Sequence, residues 1–162
     1  MVYVVMGVSG SGKTTVGKLL AQKLRLPFYD GDDFHSAENI SKMEAGIPLT
    51  DEDREDWLKT LADRIVQWEA AGGAVLACSA LKEKYRVLLS SKALAKVEWI
   101  VLQGPKDVIK ERLLNRKNHF MSSSLINSQF DIWEEPAYGI KISATKPPDI
   151  IIEDIVSKLN IL

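Results

Sequence analysis

The chain has 162 residues, 46% of them hydrophobic, and its 21 lysines and arginines nearly balance its 22 aspartates and glutamates. This length predicts one domain over residues 1–162 with its own buried core, and the balanced charge argues against binding to nucleic acid or to an anionic membrane. The single cysteine, Cys78, excludes an internal disulfide framework and a zinc cluster of cysteines. With no run long enough for a membrane span or a signal peptide, we expect a cytoplasmic protein.

Short apolar runs alternate with helical patterns along the chain. The predicted strands cover residues 2–6, 27–29, 74–78, 97–102 and 139–143. The predicted helices cover residues 14–24, 51–71, 82–89, 105–116 and 148–159. This alternation is typical of an α/β fold in which helices cover both faces of a parallel sheet. Two polar stretches, residues 31–47 and 117–124, interrupt it and are interpreted as flaps over a sheet edge.

The stretch GVSGSGKTT follows the first predicted strand and leads into the first predicted helix. It fits the phosphate-binding pattern G-x-x-x-x-G-K-[ST], and the flanking elements favour that reading over a flexible glycine-serine turn. The predicted nucleotide-binding residues here are Gly7, Val8, Ser9, Gly10, Ser11, Gly12, Lys13, Thr14 and Thr15. Lys13 is expected to reach the β- and γ-phosphates and Thr14 to bind Mg²⁺. ATP is favoured over GTP because residues 145–149, TKPPD, do not match the base-reading motif of GTPases.

An acidic cluster follows the second predicted strand, in the sequence YDGDDFH. Ligands bind at this edge of open α/β sheets, and carboxylates suit a polyhydroxylated acceptor better than a phosphate. We therefore predict that Asp32 contacts the acceptor and that Asp30 lies near the metal, acting through water. The alternative is an acidic turn in which Asp33 caps a helix that includes Ile40 and Met43.

Two arginines, Arg54 and Arg86, are candidates for binding an anionic group of the acceptor, because a guanidinium can hold a carboxylate or phosphate with two hydrogen bonds. For each, a surface ion pair is the alternative. The segment RLLNRKNHF, residues 112–120, is a candidate lid over ATP. For Arg116 the alternative is a basic helix end that stabilises its own dipole, and His119 is also compatible with an ordinary exposed histidine.

Four segments, MGVSGSGKTT, FYDGDDFHSAENISKMEAGIPLTDEDREDWL, ACSALKEKYR and RKNHF, resemble the gluconokinase family in sequence and in order, within residues 6–136. The resemblance implies the five-stranded fold of nucleoside monophosphate and shikimate kinases. It also implies transfer of the γ-phosphate of ATP to the 6-hydroxyl of D-gluconate, with Mg²⁺, in a homodimer. The family's substrate-binding region and lid match residues of about 31–60 and 117–124.

The same resemblance implies roles for single residues. Lys13, Asp32 and Arg116 match catalytic positions, and Asp32 would orient or deprotonate the attacking hydroxyl. The positions that would face the sugar acid are Asp32, His35, Arg54, Ser79, Lys82, Arg86 and His119, and one of the two arginines would hold its carboxylate. Lys117 matches the lid, and Pro147 would pack on adenine opposite Arg112 or Arg116. The sequence departs from the family near its C-terminus, where SATKPPDIIIED lacks the expected acidic turn.

Three other functions are compatible with the motifs. A kinase of the same fold would act on shikimate or a nucleoside monophosphate. A GTP-dependent switch would bind and hydrolyse nucleotide without an acceptor. A non-enzymatic module would bind ATP without acceptor-dependent turnover.

Overall fold

A computed structural model describes residues 1–115 and 123–159 of the chain. Five parallel strands form one sheet in the order β2-β3-β1-β4-β5. The strands are β1 (Val2–Met6), β2 (Phe28–Asp30), β3 (Ala74–Ala77), β4 (Glu98–Gln103) and β5 (Ile140–Ser143). The helices are α1 (Lys13–Leu24), α2 (Ala37–Glu44), α3 (Asp51–Ala70), α4 (Glu83–Ser90), α5 (Lys106–Leu114), α6 (Ser123–Ile132) and α7 (Pro148–Lys158), with a 3₁₀ helix at Gly31–Phe34.

The predicted parallel sheet with helices on both faces is confirmed, and each predicted strand lies within one residue of an observed one. β1 occupies the centre, where Val4 pairs with Leu76 of β3 and with Trp99 of β4. All residues of β3 are buried, because a central strand of a parallel sheet has no face toward water. The carboxyl ends of β1, β2 and β3 therefore meet at one edge, where ligands bind in folds of this type.

Two apolar layers hold the helices onto the sheet. On one face, Leu61 and Ile65 of α3 pack with Val4 and Leu76. On the other face, Leu20 of α1 packs in a cluster with Ile155 of α7 and Val5 of β1. Because both layers close directly behind the carboxyl edge of the sheet, the loops at that edge start from rigid strand ends.

Side-chain hydrogen bonds cap the N-termini of helices α2 and α3. Thr50 and Asp53 form a capping box at the start of α3, where each side chain accepts a hydrogen bond from the backbone of the other. Ser36 caps α2 by accepting from the Asn39 N–H at 3.1 Å. The alternative in which Asp33 caps this helix is therefore wrong.

Helix α6 is not predicted by the sequence, and its first two residues overlap the end of the predicted lid. Its first two turns contain serines and an asparagine, which have modest helix propensity. The helix is stabilised instead by tertiary packing, since Leu125 and Ile126 are buried. Among the helices of residues 1–115 and 123–159, none is both long enough and apolar enough to cross a bilayer.

Candidate active site

One cleft at the carboxyl edge of the sheet collects six of the predicted site residues. It is lined by Ser9 and Lys13 of the phosphate loop, Asp32 and His35 from the turn after β2, Arg54 of α3 and Ser79 after β3. The first and last of these residues are 70 positions apart in sequence, and three strand ends and helix α3 bring them together. The cleft thus joins a phosphate-binding loop with acidic, basic and hydroxyl groups suited to a polar acceptor.

Two glycines of the phosphate loop, residues 7–15, adopt left-handed backbone conformations. Gly12, the residue directly before α1, adopts φ +96°, so the loop turns into the helix through a left-handed residue. Gly10 adopts φ +83°, and a Cβ there would lie 2.6 Å from the Leu113 side chain of α5. Lys13 Nζ donates to the Val8 carbonyl at 3.0 Å. This arrangement presents the lysine and the helix N-terminus to a phosphate.

The two predicted metal ligands lie together. The Thr14 hydroxyl donates to Asp30 Oδ2 at 2.9 Å, and Asp30 Oδ1 accepts from the Asp32 N–H at 3.0 Å. Hydroxyl and carboxylate oxygens fit Mg²⁺, which usually keeps several waters and phosphate oxygens as its other ligands. Within the described parts of the chain, no group of three or more histidine, cysteine or acidic side chains could hold a metal. A cation at Thr14 and Asp30 would therefore depend on water and phosphate for most of its coordination.

Asp32 lies in the cleft with Lys13. Its side chain keeps exposed surface, but the surrounding protein atoms raise the pKa of its carboxyl. The Lys13 ammonium lowers this pKa in turn, and the neighbouring carboxylates of Asp30 and Asp33 raise it. Asp32 is thus a carboxylate with raised proton affinity beside the phosphate-binding lysine, as a group that accepts a hydroxyl proton requires.

Cys78 directly follows β3 and is buried. Burial raises the pKa of its thiol to about 12, so the side chain is neutral at physiological pH. In this position a carboxylate often helps to hold Mg²⁺ in proteins with a phosphate loop. The thiol cannot do so, and Asp30 of the neighbouring strand is the acidic group that approaches Thr14.

His35 is fixed from two sides. Its ring stacks on Trp57 of α3 with centroids 4.1 Å apart, and its Nδ1 lies 3.4 Å from Asn39 Nδ2. Burial, together with the positive charge of Arg54, lowers the pKa of His35 to about 4. The imidazole is therefore neutral at physiological pH and offers one donor and one acceptor.

Arg54 is buried, with 8% of its surface exposed, and lines the cleft. Its Nη1 donates to the Leu49 carbonyl at 2.7 Å and to the Tyr85 hydroxyl at 3.2 Å. Tyr85 in turn donates to Asp51. Within the described residues Arg54 forms no salt bridge, so the surface ion pair considered for it is wrong. The hydrogen-bond acceptors described for this side chain are neutral groups, so no described carboxylate pairs with its guanidinium.

The structure corrects the prediction for Arg86, which does not line the cleft. Its surface is 1% exposed, and Nε donates to the Ala80 carbonyl at 2.9 Å while Nη2 donates to the carbonyls of Leu81 and Glu134. The guanidinium thus holds the turn after β3 against the segment after α6. Lys82 is also outside the cleft, because its ammonium pairs with Asp51 at 3.1 Å.

Arg86→Met is expected to lower the free energy of unfolding by about 3 kcal/mol, because buried carbonyls lose a charged donor and have no water to replace it. Urea unfolding measures this loss. Lys96→Met is the control, since Lys96 is exposed and its replacement should change stability by less than about 0.5 kcal/mol. Equal stability of the two variants would contradict the assignment of Arg86 to the turn.

A second cleft lies on the other side of the phosphate loop. Gly12 and Thr15 line it together with Arg112 of α5, Lys146 and Pro148. Arg112 therefore lines a cleft next to the phosphate loop, and its role toward adenine stays a prediction. Pro148 lines this cleft and its neighbour Pro147, which directly precedes α7, does not. The remaining predicted lid residues, Arg116, Lys117 and His119, lie outside the described residues.

Sequence reasoning missed several residues in and around the cleft that contains Asp32, and three of them contact predicted site residues. Gln129 of α6 is buried, and its Oε1 accepts from the Ser9 N–H of the phosphate loop at 2.7 Å. Trp57 supports His35, and Tyr85 supports Arg54. The contact of Gln129 spans 120 positions and lies in a helix without a strong pattern, so the sequence gives no signal for it.

Comparisons with known proteins place the chain in a family. The shikimate kinase family model matches residues 9–159. A probable gluconokinase of Dictyostelium discoideum is 41% identical over 173 residues, which span 99% of this chain and 86% of that protein. A gluconokinase of Gluconobacter oxydans is 42% identical over 157 residues, which span 94% of this chain and 88% of that protein. The crystal structure of a gluconokinase from Sinorhizobium meliloti is 38% identical and superposes with a TM-score of 0.88 over 98% of this chain and 90% of that chain.

These matches extend well beyond the phosphate loop, since they include the turn after β2, helix α3 and the segment after α6. They confirm the resemblance indicated by the four sequence segments. With a five-stranded parallel sheet, a phosphate loop after its central strand and a polar cleft beside that loop, the chain belongs to the gluconokinase family of kinases with a shikimate kinase-like fold.

Proposed function

We propose that this protein transfers the γ-phosphate of ATP to the 6-hydroxyl of D-gluconate, giving 6-phosphogluconate and ADP. The observation that carries the proposal is the cleft in which Lys13 and Asp32 lie together with His35 and Arg54. D-gluconate offers hydroxyl groups to Asp32 and His35, and it offers a carboxylate to Arg54. Membership in the gluconokinase family supports the same acceptor.

In the proposed reaction the phosphate loop binds the triphosphate through its backbone N–H groups, and the Lys13 ammonium contacts the β- and γ-phosphates. Thr14 and Asp30 would hold Mg²⁺, which when bound neutralises charge on the transferred phosphate. Phosphoryl transfer passes through a loose transition state, so alignment and charge stabilisation by the protein supply most of the acceleration.

Asp32 acts on the acceptor. Its carboxylate accepts a hydrogen bond from the 6-hydroxyl, orients the oxygen toward phosphorus and takes the proton as the new P–O bond forms. The bond between the γ-phosphorus and the bridging oxygen breaks at the same time, and ADP leaves with that oxygen. The raised pKa of Asp32 suits this role, because it brings the proton affinity of the carboxylate closer to that of the reacting hydroxyl as that oxygen loses its proton.

Arg54 holds the carboxylate of the sugar acid in this proposal. Arg54→Lys keeps the charge but loses the planar fork, so we expect KM for gluconate to rise about 10-fold, and Arg54→Met to raise it about 100-fold. KM for ATP should stay within about threefold in both. Steady-state kinetics with both substrates, together with melting temperatures, measure these effects. If KM for ATP rises as much as KM for gluconate, Arg54 does not bind the sugar acid.

A coupled ADP-release assay tests the proposed function. The purified protein is given ATP with D-gluconate, shikimate or a nucleoside monophosphate, and ADP release is compared with that in the absence of an acceptor. Release that rises only with gluconate supports the proposal. Release stimulated by another acceptor, or by none, would replace it with one of the alternatives considered above.

The assembly and the cellular location stay predictions. The resemblance implies a homodimer, and the chain mass of 18.1 kDa makes a monomer and a dimer easy to separate by light scattering. The identity of the nucleotide is tested in the same samples by comparing the melting-temperature shifts with ATP and GTP, each with and without Mg²⁺.

A further inference from the structure

The Nδ1 atom of His35 lies 3.4 Å from the side-chain amide nitrogen of Asn39, and this contact bears on which ring nitrogen carries the proton. We propose that Asn39 is a positioning residue that holds His35 with its proton on Nε2, so that His35 donates a hydrogen bond to an oxygen of the sugar acid. This inference rests on the proposed function for the identity of the acceptor, but its structural part concerns only this chain.

The orientation of the Asn39 amide is fixed by a carbonyl. Asn39 is buried, and its side chain lies 2.8 Å from the carbonyl oxygen of Asp53. A carbonyl only accepts hydrogen bonds, so the atom facing it must be the amide nitrogen. The Asn39 backbone is fixed as well, because its N–H donates to the Ser36 hydroxyl at 3.1 Å.

The same amide nitrogen lies 3.4 Å from His35 Nδ1. Nδ2 carries two hydrogens, one of which binds the Asp53 carbonyl, and the other points to the imidazole. His35 Nδ1 must therefore accept, which leaves it without a proton. In a neutral imidazole the proton is then on Nε2.

Stacking on Trp57 fixes the plane of the His35 ring. The His35 ring lies 4.1 Å from the Trp57 ring at an interplanar angle of 17°. Trp57 is itself anchored, because its Nε1 donates to the Gly31 carbonyl at 2.8 Å. Burial and the charge of Arg54 keep the imidazole neutral, so the tautomer set by Asn39 is the form present at physiological pH.

Asp32 and His35 then have different roles in the cleft. Asp32 accepts a hydrogen bond from the attacking hydroxyl, while the Nε2–H of His35 donates to another oxygen of the acceptor. A donor distinguishes a sugar-acid oxygen, which has lone pairs, from an apolar group of the same size. His35 thereby contributes to the selection of a polyhydroxylated acceptor and does not compete with Asp32 for the proton.

Two replacements of His35 test which of its ring nitrogens donates to the sugar acid. In His35→Gln the amide nitrogen can take the place of Nε2, whereas in His35→Asn the shorter amide reaches only the place of Nδ1. We expect KM for gluconate to stay within about threefold of the parent in His35→Gln and to rise about 10-fold in His35→Asn, with KM for ATP unchanged in both. Equal gluconate KM values in the two variants, with equal melting temperatures, would overturn the proposal.

Nitrogen-15 NMR of the imidazoles reads the tautomer directly and needs no turnover. The chain has two histidines, so the spectrum of His35→Asn identifies the His35 signals. We expect a proton on Nε2 in the parent and on Nδ1 in Asn39→Asp, whose carboxylate can only accept. A parent signal with the proton on Nδ1, or an unchanged tautomer in Asn39→Asp, would overturn the role of Asn39. Failure of the proposed function would appear instead as absent gluconate turnover with this tautomer intact.

Discussion

Asp32→Ala is expected to lower kcat for gluconate phosphorylation by about 100-fold or more while changing the ATP dissociation constant by less than about threefold. The variant removes the carboxylate that is proposed to orient and deprotonate the 6-hydroxyl, but the phosphate loop and Lys13 remain. Steady-state kinetics measure the first quantity, and calorimetric titration of ATP measures the second.

Asp33→Ala is the matched control for this result, since it removes the same charge from the next residue, which does not line the cleft. It should retain kcat within about threefold. The pH profile gives a second readout. The active form of Asp32 is the carboxylate and its pKa is raised, so kcat/KM should fall as the pH falls through a value above 3.8, the ordinary value of an aspartate. Full turnover in Asp32→Ala would remove Asp32 from the mechanism.

Lys13→Ala is expected to impair both binding and turnover. The ammonium is the phosphate loop's own side-chain cation, and in the proposed reaction it contacts the phosphates in the ground state and in the transition state. We expect the ATP dissociation constant to rise about 10-fold or more and kcat to fall about 1000-fold. Calorimetry and the ADP-release assay measure the two effects.

Lys18→Ala provides the control for Lys13, since Lys18 lies on the exposed side of the same helix, α1. Its ATP affinity and turnover should match those of the parent protein. Because Lys13 also donates to the Val8 carbonyl, the melting temperature of each variant is needed to separate loss of the loop from loss of the charge. Unchanged ATP affinity in a stable Lys13→Ala protein would contradict the assignment of the loop.

The fold was predictable because its signals are local. A buried strand of a parallel sheet is a short apolar run, and the helices between the strands carry caps and periodic patterns. The phosphate loop was predictable for the same reason, since its glycines, Lys13 and Thr14 are contiguous. Asp30 and Asp32 directly follow a strand, so their place at the carboxyl edge followed from the topology.

The roles of Arg54 and Arg86 could not be separated from the sequence. Both arginines lie near the start of a helix among charged residues, which are acidic around Arg54 and of both signs around Arg86, so a surface ion pair was compatible with either sequence. Their difference is tertiary, because Arg54 faces the cleft while the carbonyls of Ala80, Leu81 and Glu134 take up the donors of Arg86. Those carbonyls come from segments about 50 positions apart, and a sequence pattern does not report which segments meet.

The contact between Gln129 and Ser9 was unpredictable for a related reason. Gln129 lies in α6, a helix rich in serine and asparagine that forms through packing and not through propensity. The phosphate loop pattern specifies the loop itself and nothing about the side chain that covers its Ser9 N–H. A residue that contacts a sequence motif from a distant part of the chain is identified only from the three-dimensional structure.

The buried Cys78 allows local unfolding around the site to be followed in the unmodified protein. It is the chain's single cysteine and directly follows β3, at the sheet edge that carries the cleft. A thiol reagent can reach it only after that edge separates, and the raised pKa slows the reaction of the closed form further. The rate of labelling under native conditions therefore measures the free energy of local unfolding around the site, without any engineered probe.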